Sequence, residues 1–201
     1  MVNELALSSA FTTALSFEKN GHSGVCATRD SSMWYVDWNT EAAVQLRAGH
    51  SSQVTGVAVD NQGRVASSGE DGTLRTWQLE GEHDEVLRLE HDSGCCCATL
   101  IDNYVIGGFR DGSLRLYDLD SGDALLEAQV YEEGYVSALQ AAKSSAGYLV
   151  LSGSNEGMLV FSWISSSGTS VIASVEDVLQ HRGSQISATN CSLPDHTGCM
   201  R

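Results

Sequence analysis

Residues 49–78 read GHSSQVTGVAVDNQGRVASSGEDGTLRTWQ, and the turns that punctuate this stretch decide the fold. Val54, Gly56 and Ala58 share one face of a period-two run, with Thr55, Val57 and Val59 on the other. Neither face is distinctly polar, which predicts a strand buried on both sides. Asp60-Asn61-Gln62-Gly63 supplies a turn, and the run 65–68 is too short for a helix. Glu70-Asp71-Gly72 is a tight hairpin signal. Residues 73–79 are rich in β-formers and include Trp77. About thirty residues therefore hold three antiparallel strands.

The same pattern recurs along the chain. Asp71-Gly72-Thr73-Leu74-Arg75-Thr76-Trp77 has a close copy in Asp111-Gly112-Ser113-Leu114-Arg115-Leu116-Tyr117. A weaker copy is Glu156-Gly157-Met158-Leu159-Val160-Phe161-Ser162, with Trp163 one place late. Upstream stands Asp30-Ser31-Ser32-Met33-Trp34-Tyr35-Val36, followed by Asp37-Trp38. The turn acids Asp30, Asp71, Asp111 and Glu156 are 41, 40 and 45 residues apart. That period is the length of a four-stranded propeller blade.

The first unit, 1–47, is expected to hold strands near 12–17, 24–28, 33–38 and 42–47, with Asn20-Gly21 as a strong turn. The second, 48–90, adds a fourth strand near 85–89 to the opening stretch. The third, 91–131, takes 95–100, 104–108, 113–119 and 124–130; the fourth, 132–176, takes 136–141, 148–153, 158–164 and 170–175. A partial fifth, 177–201, begins with His181, a strand near 186–191 and a turn at Pro194-Asp195. The expectation is an all-β propeller of four blades plus part of a fifth, open or partial, with four closed blades and a tail lying elsewhere as the alternative.

Gly49-His50, then Ser67, then Asp71, then Trp77, in that order and at those gaps, resembles a WD40 repeat. The usual closing Trp-Asp is Trp77-Gln78 here. His50, Ser67 and Asp71 have the residue types of a catalytic triad, but the resemblance implies a structural network with Trp77 instead. A buried His and a buried Asp satisfy one another. The other units depart from the pattern. The third keeps His91 and Asp111 but has Gly107 for the Ser and Tyr117 for the Trp. The first keeps Asp30, lacks a Gly-His, and has Val36 at the Trp place; the fourth has Glu156 and Ser162. Only the second unit is expected to hold a full network, with the others relying on packing.

The family resemblance further implies a rigid, non-catalytic platform that binds proteins or peptides. It places the residues just before the turn acids, Arg29, Glu70, Arg110 and Asn155, on one face as a polar recognition ring. An enzyme or regulatory subunit built on the same fold would instead gather acids, His or metal ligands round the central opening; only the His50 network is visible. Met33-Trp34-Tyr35-Val36-Asp37-Trp38, leading through Arg47-Ala48-Gly49-His50, is also similar to a passage in the long WD-repeat proteins of centriole and cilium walls. That narrower resemblance implies a cytoskeletal, microtubule-associated scaffold.

Composition narrows the partners. A net charge of −15 argues against a nucleic-acid surface, which needs a concentrated basic patch, and suits basic protein partners. The start of the chain has no Lys or Arg before Lys19 and is too polar to span a membrane, so neither a secretory signal nor a membrane partner is expected. Six cysteines are an even number, but Cys95-Cys96-Cys97 are consecutive, which is no disulfide framework; a reducing cytoplasmic compartment follows. His91 with Cys95–Cys97, and Cys191, His196 and Cys199, lack paired zinc spacing. The loop from Asp118 has Asp123 and Gln129 where calcium loops need Gly and Glu. Phosphate loops and nucleophile motifs are absent, so no cofactor, metal or catalytic residue is expected. An arc that fails to close exposes a strand edge and an apolar blade face, which predicts self-association through open blade edges, or a chain that is one piece of a longer propeller protein.

Overall fold

The computed structural model describes residues 7, 11–18, 21–46, 49–81, 83–165 and 168–175. These form four antiparallel sheets in chain order. The first is β1 (Thr12–Phe17), β2 (Ser23–Thr28), β3 (Met33–Asp37) and β4 (Ala42–Gln45). The second is β5 (Val54–Val59), β6 (Arg64–Gly69), β7 (Thr73–Gln78) and β8 (Glu85–Glu90). The third is β9 (Cys95–Ile101), β10 (Tyr104–Phe109), β11 (Ser113–Asp118) and β12 (Ala124–Gln129). The fourth is β13 (Val136–Ser144), β14 (Gly147–Ser154), β15 (Leu159–Ser165) and β16 (Gly168–Val175). Each sheet is a meander whose neighbours in sequence are neighbours in space, the arrangement that short turns dictate. No described helix is long and apolar enough to cross a membrane. The partial fifth unit, with His181, Cys191, His196 and Cys199, lies outside the described residues.

The blades stack through their faces. Val25, Ala27 and Met33 of blade one pack against Val54, Val65 and Trp77 of blade two. Ala66 and Leu74 of blade two meet Val105, Phe109 and Tyr117 of blade three. Ile106, Leu114 and Leu116 of blade three meet Val136, Val150 and Ile164 of blade four. Three apolar seams thus replace one central core. The innermost strands pack in the order β1–β5–β9–β13, and no comparable packing joins β13 back to β1, so the propeller is not closed.

One expectation is corrected. Only Val54 of β5 is fully buried; residues 55–59 are half-buried. The reason is position. β5 is an innermost strand and borders a central opening of about 820 Å³, lined with Leu15, Val57, Ala98 and Leu139 among others. β13 also runs three residues beyond its expected end, because its hairpin closes tightly with Ser144 opposite Gly147.

Polar contacts tie the blades at one end of the strands. Arg64 forms an ion pair with Asp60 at 2.6 Å and donates to Asn103 Oδ1 at 3.0 Å in the next blade. Asp102 receives the Tyr148 hydroxyl at 2.8 Å and Lys143 at 2.6 Å from the blade after that. At the other end the hairpin glycines matter. Gly72 and Gly112 both have φ of +78°, and a Cβ there would lie 2.4 Å from the His91 carbonyl oxygen and 2.3 Å from that of Tyr131. Left-handed backbone and close approach together demand glycine.

Gly108 shows how tight the seams are. A Cβ at this position would lie 2.5 Å from Val136 Cγ1 and 2.7 Å from Cys97 Sγ. Gly108→Ala is expected to destabilise the fold by about 1–3 kcal/mol through overpacking. Thermal melts check this; a melting temperature equal to that of the parent chain contradicts it.

Candidate functional site

The hairpin between the second and third strands repeats one geometry four times. In each, the amide three residues on donates back to the last residue of the second strand: Ser31 to Thr28 at 3.0 Å, Gly72 to Gly69 at 3.2 Å, Gly112 to Phe109 at 3.1 Å and Gly157 to Ser154 at 3.3 Å. Thr28, Gly69, Phe109 and Ser154 are therefore equivalent, and each stands two residues before a turn acid. What occupies that place decides the local chemistry.

In blade two the place is Gly69, and His50 fills the space a side chain would take. A Cβ on Gly69 would lie 2.3 Å from His50 Nδ1 and 2.7 Å from Asp71 Oδ1. His50 Nδ1 lies 2.9 Å from Asp71 Oδ1 and Nε2 lies 2.6 Å from Ser67 Oγ. Thr73 Oγ1 is 2.9 Å from His50 Nδ1 and donates to Asp71 Oδ1 at 2.7 Å. The Ser51 amide donates to Asp71 Oδ2 at 2.8 Å. Trp77 is buried, with its ring centroid 6.3 Å from that of His50. Arg75 completes the shell, donating through Nε to Thr73 at 2.9 Å and through Nη1 to Glu85 at 2.7 Å.

Electrostatics fix the protons. Burial alone would raise the Asp71 carboxyl, but the bonds from His50, Thr73 and Ser51 outweigh it and hold it well below the usual range. Asp71 is thus ionised. Burial lowers the His50 imidazole despite that neighbour, so His50 is neutral. An ionised Asp71 takes the Nδ1 proton as its donor, leaving Nε2 to accept from Ser67. This is the hydrogen-bond order of a Ser-His-Asp triad. Yet the side chains of His50 and Asp71 are 0% and 5% exposed and Ser67 is wholly buried, so no substrate reaches the hydroxyl.

Blade three diverges because Phe109 stands at the Gly69 place. His91 packs edge-on to Phe109 at 4.7 Å and bonds through Nε2 to the Tyr117 hydroxyl at 2.5 Å. No hydrogen bond joins His91 to Asp111. Asp111 instead accepts from Ser113 Oγ at 2.6 Å and Arg115 at 2.8 Å. The Arg115 guanidinium lies 4.5 Å over the Phe109 ring. Gly107 leaves room for that ring, since a Cβ there would be 2.9 Å from it.

Blade four has a residue that sequence reasoning missed. The amides of His91 and Tyr131 donate to Gly72 and Gly112 carbonyls at 3.0 and 3.1 Å, so these two residues are equivalent. The signal was available: each stands 19 residues after its hairpin glycine. Tyr131 bonds through its hydroxyl to Ser152 Oγ at 3.0 Å, where Ser152 matches Ser67. Glu156 does not cap its hairpin. Ser154 Oγ does so, accepting from Glu156 and Met158 amides at 3.2 and 3.1 Å. In blade one, Asp30 accepts from Thr28 Oγ1 at 2.5 Å. The other blades therefore keep partial hydrogen-bond sets rather than packing alone.

The ring residues occupy matching places. The amides of Arg29, Glu70, Arg110 and Asn155 each donate to the carbonyl of a residue just ahead of the first strand: Phe11 at 2.8 Å, Gln53 at 3.0 Å, Gly94 at 2.9 Å and Tyr135 at 3.2 Å. All four side chains are exposed. Glu70 and Arg110 pair across blades at 3.2 Å. Asn155 is tied down locally, accepting from the Tyr135 amide at 2.6 Å and donating to Glu156 at 2.7 Å.

Cys95 and Cys97 are buried, and burial pushes the Cys97 thiol up to about 12. Among the described residues no cluster of His, Cys, Asp or Glu has the geometry of a metal site. Asp118 Oδ1 accepts the Asp120 and Ser121 amides at 2.9 Å each, so its loop is a hydrogen-bonded turn.

The profile of the family described as WD domain, G-beta repeat matches residues 43–78, the stretch that holds the His50 network. WD repeat-containing protein 90 of Xenopus tropicalis is 24% identical over 209 residues, covering 98% of this chain and 11% of that protein. Centriole proteome protein 16 of Chlamydomonas reinhardtii is 36% identical over 91 residues, covering 44% of this chain and 4% of that protein. The chain spans about a tenth of the first of these relatives. Among solved structures, the computationally designed Ika8 superposes with a TM-score of 0.69 at 26% identity, over 83% of this chain and 49% of that one. Residues 43–78 are thus a WD40 repeat, and the fold that contains them is an open WD40 β-propeller.

Two expectations follow from the network. His50→Ala or Asp71→Ala removes a partner from buried groups and is expected to cost about 1–3 kcal/mol, read from melts. The folded-state pKa of His50 lies below its ordinary value, so the unfolded chain takes the proton first. Its contribution is present above about pH 6.5 and is lost as pH falls. Asp71 also has a lowered folded-state pKa; its contribution is present above about pH 4 and is lost further down. The melting temperature should fall on acidification from pH 7.5 to 5, with a shallower slope in His50→Gln; an unchanged slope contradicts the assignment.

Proposed function

We propose that the chain is a non-catalytic protein-interaction scaffold whose recognition face is the ring of Arg29, Glu70, Arg110 and Asn155. The observation that carries this is the repeated anchoring of those four residues: one backbone bond per blade fixes each Cα while the side chain stays in water. Rigid placement of polar side chains lowers the cost of ordering them on binding. Among the described residues, the constellation with catalytic residue types, His50, Ser67 and Asp71, is sealed inside blade two, which favours a scaffold over a propeller enzyme. The acidity of the chain suits a basic peptide or protein partner.

A second, narrower reading places this scaffold in the cytoplasm at the cilium or centriole. It is supported by the likeness to WD repeat-containing protein 90 and to a protein named for the centriole proteome. Contact with acidic microtubule surfaces would need a basic intermediary, given the net charge of −15.

Affinity purification with mass spectrometry tests both. Arg29→Glu combined with Arg110→Glu should abolish capture of the proteins retained by the parent chain and leave the melting temperature unchanged. Capture that survives the double change contradicts the ring; a captured set without centriolar or ciliary proteins contradicts the narrower reading.

A further inference from the structure

The two ends of the arc carry unlike apolar faces that none of the three seams uses. At one end Leu15 and Phe17 project from β1 away from blade two and are 59% and 60% exposed. The Phe17 ring meets Trp38 of its own blade edge-on, at 5.3 Å. At the other end Leu151, Leu159 and Phe161 lie half-buried on the side of blade four away from blade three, outside the three core clusters of the described residues.

Register shows what these faces are. Leu15 and Phe17 stand where Val57 and Val59 of blade two pack against blade one. Leu151, Leu159 and Phe161 stand where Ile106, Leu114 and Leu116 of blade three pack against blade four. One end of the arc is a receiving face and the other is a donating face, each a copy of a surface already used inside.

We propose that two copies of the chain join head to tail, the Leu15–Phe17 face of each against the Leu151–Leu159–Phe161 face of the other, into a closed ring of eight blades. Unlike faces make a heterologous contact, which closes into a ring when the rotation fits. Two arcs fit because this chain superposes on just under half of Ika8, so the same curvature occurs in a body of about twice its size. Eight blades is the upper end of the common range. Closure covers both apolar faces, where an unclosed arc leaves them in water. The two apolar faces are made of other residues than the ring of Arg29, Glu70, Arg110 and Asn155, and mass and partner capture are separate readouts, so the two proposals are tested separately.

Size-exclusion chromatography with light scattering on the full chain at micromolar concentration is expected to give twice the 21.5 kDa chain mass. A mass of one chain, or a series that grows without limit with concentration, overturns the proposal whatever the variants do. Phe17→Asp and Phe161→Asp, each alone, should halve the mass while keeping the β-sheet circular dichroism. A Phe161→Asp chain that stays dimeric would mean like face on like face and also overturns it.

Discussion

A small volume beside Gly69 governs the blade with the fullest hydrogen-bond network. Because no side chain stands there, His50 reaches Asp71 with one nitrogen and Ser67 with the other. Three separate pieces of chain are thereby held: the loop ahead of β5, the middle of β6 and the hairpin into β7. Both bonds are buried and the one to Asp71 is charge-assisted, so a missing partner is costly. Blade three shows the converse. With Phe109 in that volume, His91 turns to the Tyr117 hydroxyl, and Asp111 takes Arg115 instead. Two histidines at equivalent places thus do different work because of one residue neither touches in sequence.

That local arrangement carries into the arc through the hairpin glycines. The Gly72 carbonyl accepts the His91 amide, and the Gly112 carbonyl accepts the Tyr131 amide. The hairpin of one blade is thus bolted to the histidine position of the next. The side chain at that position in turn organises its own blade: His91 on Tyr117, and Tyr131 on Ser152. The ring residues sit one place beyond the last residue of each second strand, so they inherit this fixed geometry. Rigidity beneath exposed polar groups is what a docking platform requires.

Most of the fold was legible because its signals are local. Hairpin acids at 30, 71, 111 and 156, the last three followed by glycine, set the period, and strand runs between them set the sheets. The half-exposure of β5 was not legible. Val57 and Val59 look like core residues in sequence, and only the position of β5 beside the opening thins their cover. The site was legible where it follows the family pattern, at His50, Ser67, Asp71 and Trp77. It was missed where substitutions compensate one another. Tyr131 replaces a histidine and reaches Ser152 with its longer side chain, and Ser154 replaces the capping role of Glu156. Such exchanges keep the hydrogen bonds while changing the letters. The failure of His91 to meet Asp111 depends on Phe109 lying between strands that are remote in sequence from His91.

Double-mutant cycles compare the two blades directly. Unfolding free energies of His50→Ala, Asp71→Ala and the pair should yield an interaction energy of about 1–3 kcal/mol, whereas the same cycle on His91 and Asp111 should be close to additive. Additive behaviour at His50 and Asp71, or equal coupling in both blades, would contradict the role assigned to the space beside Gly69.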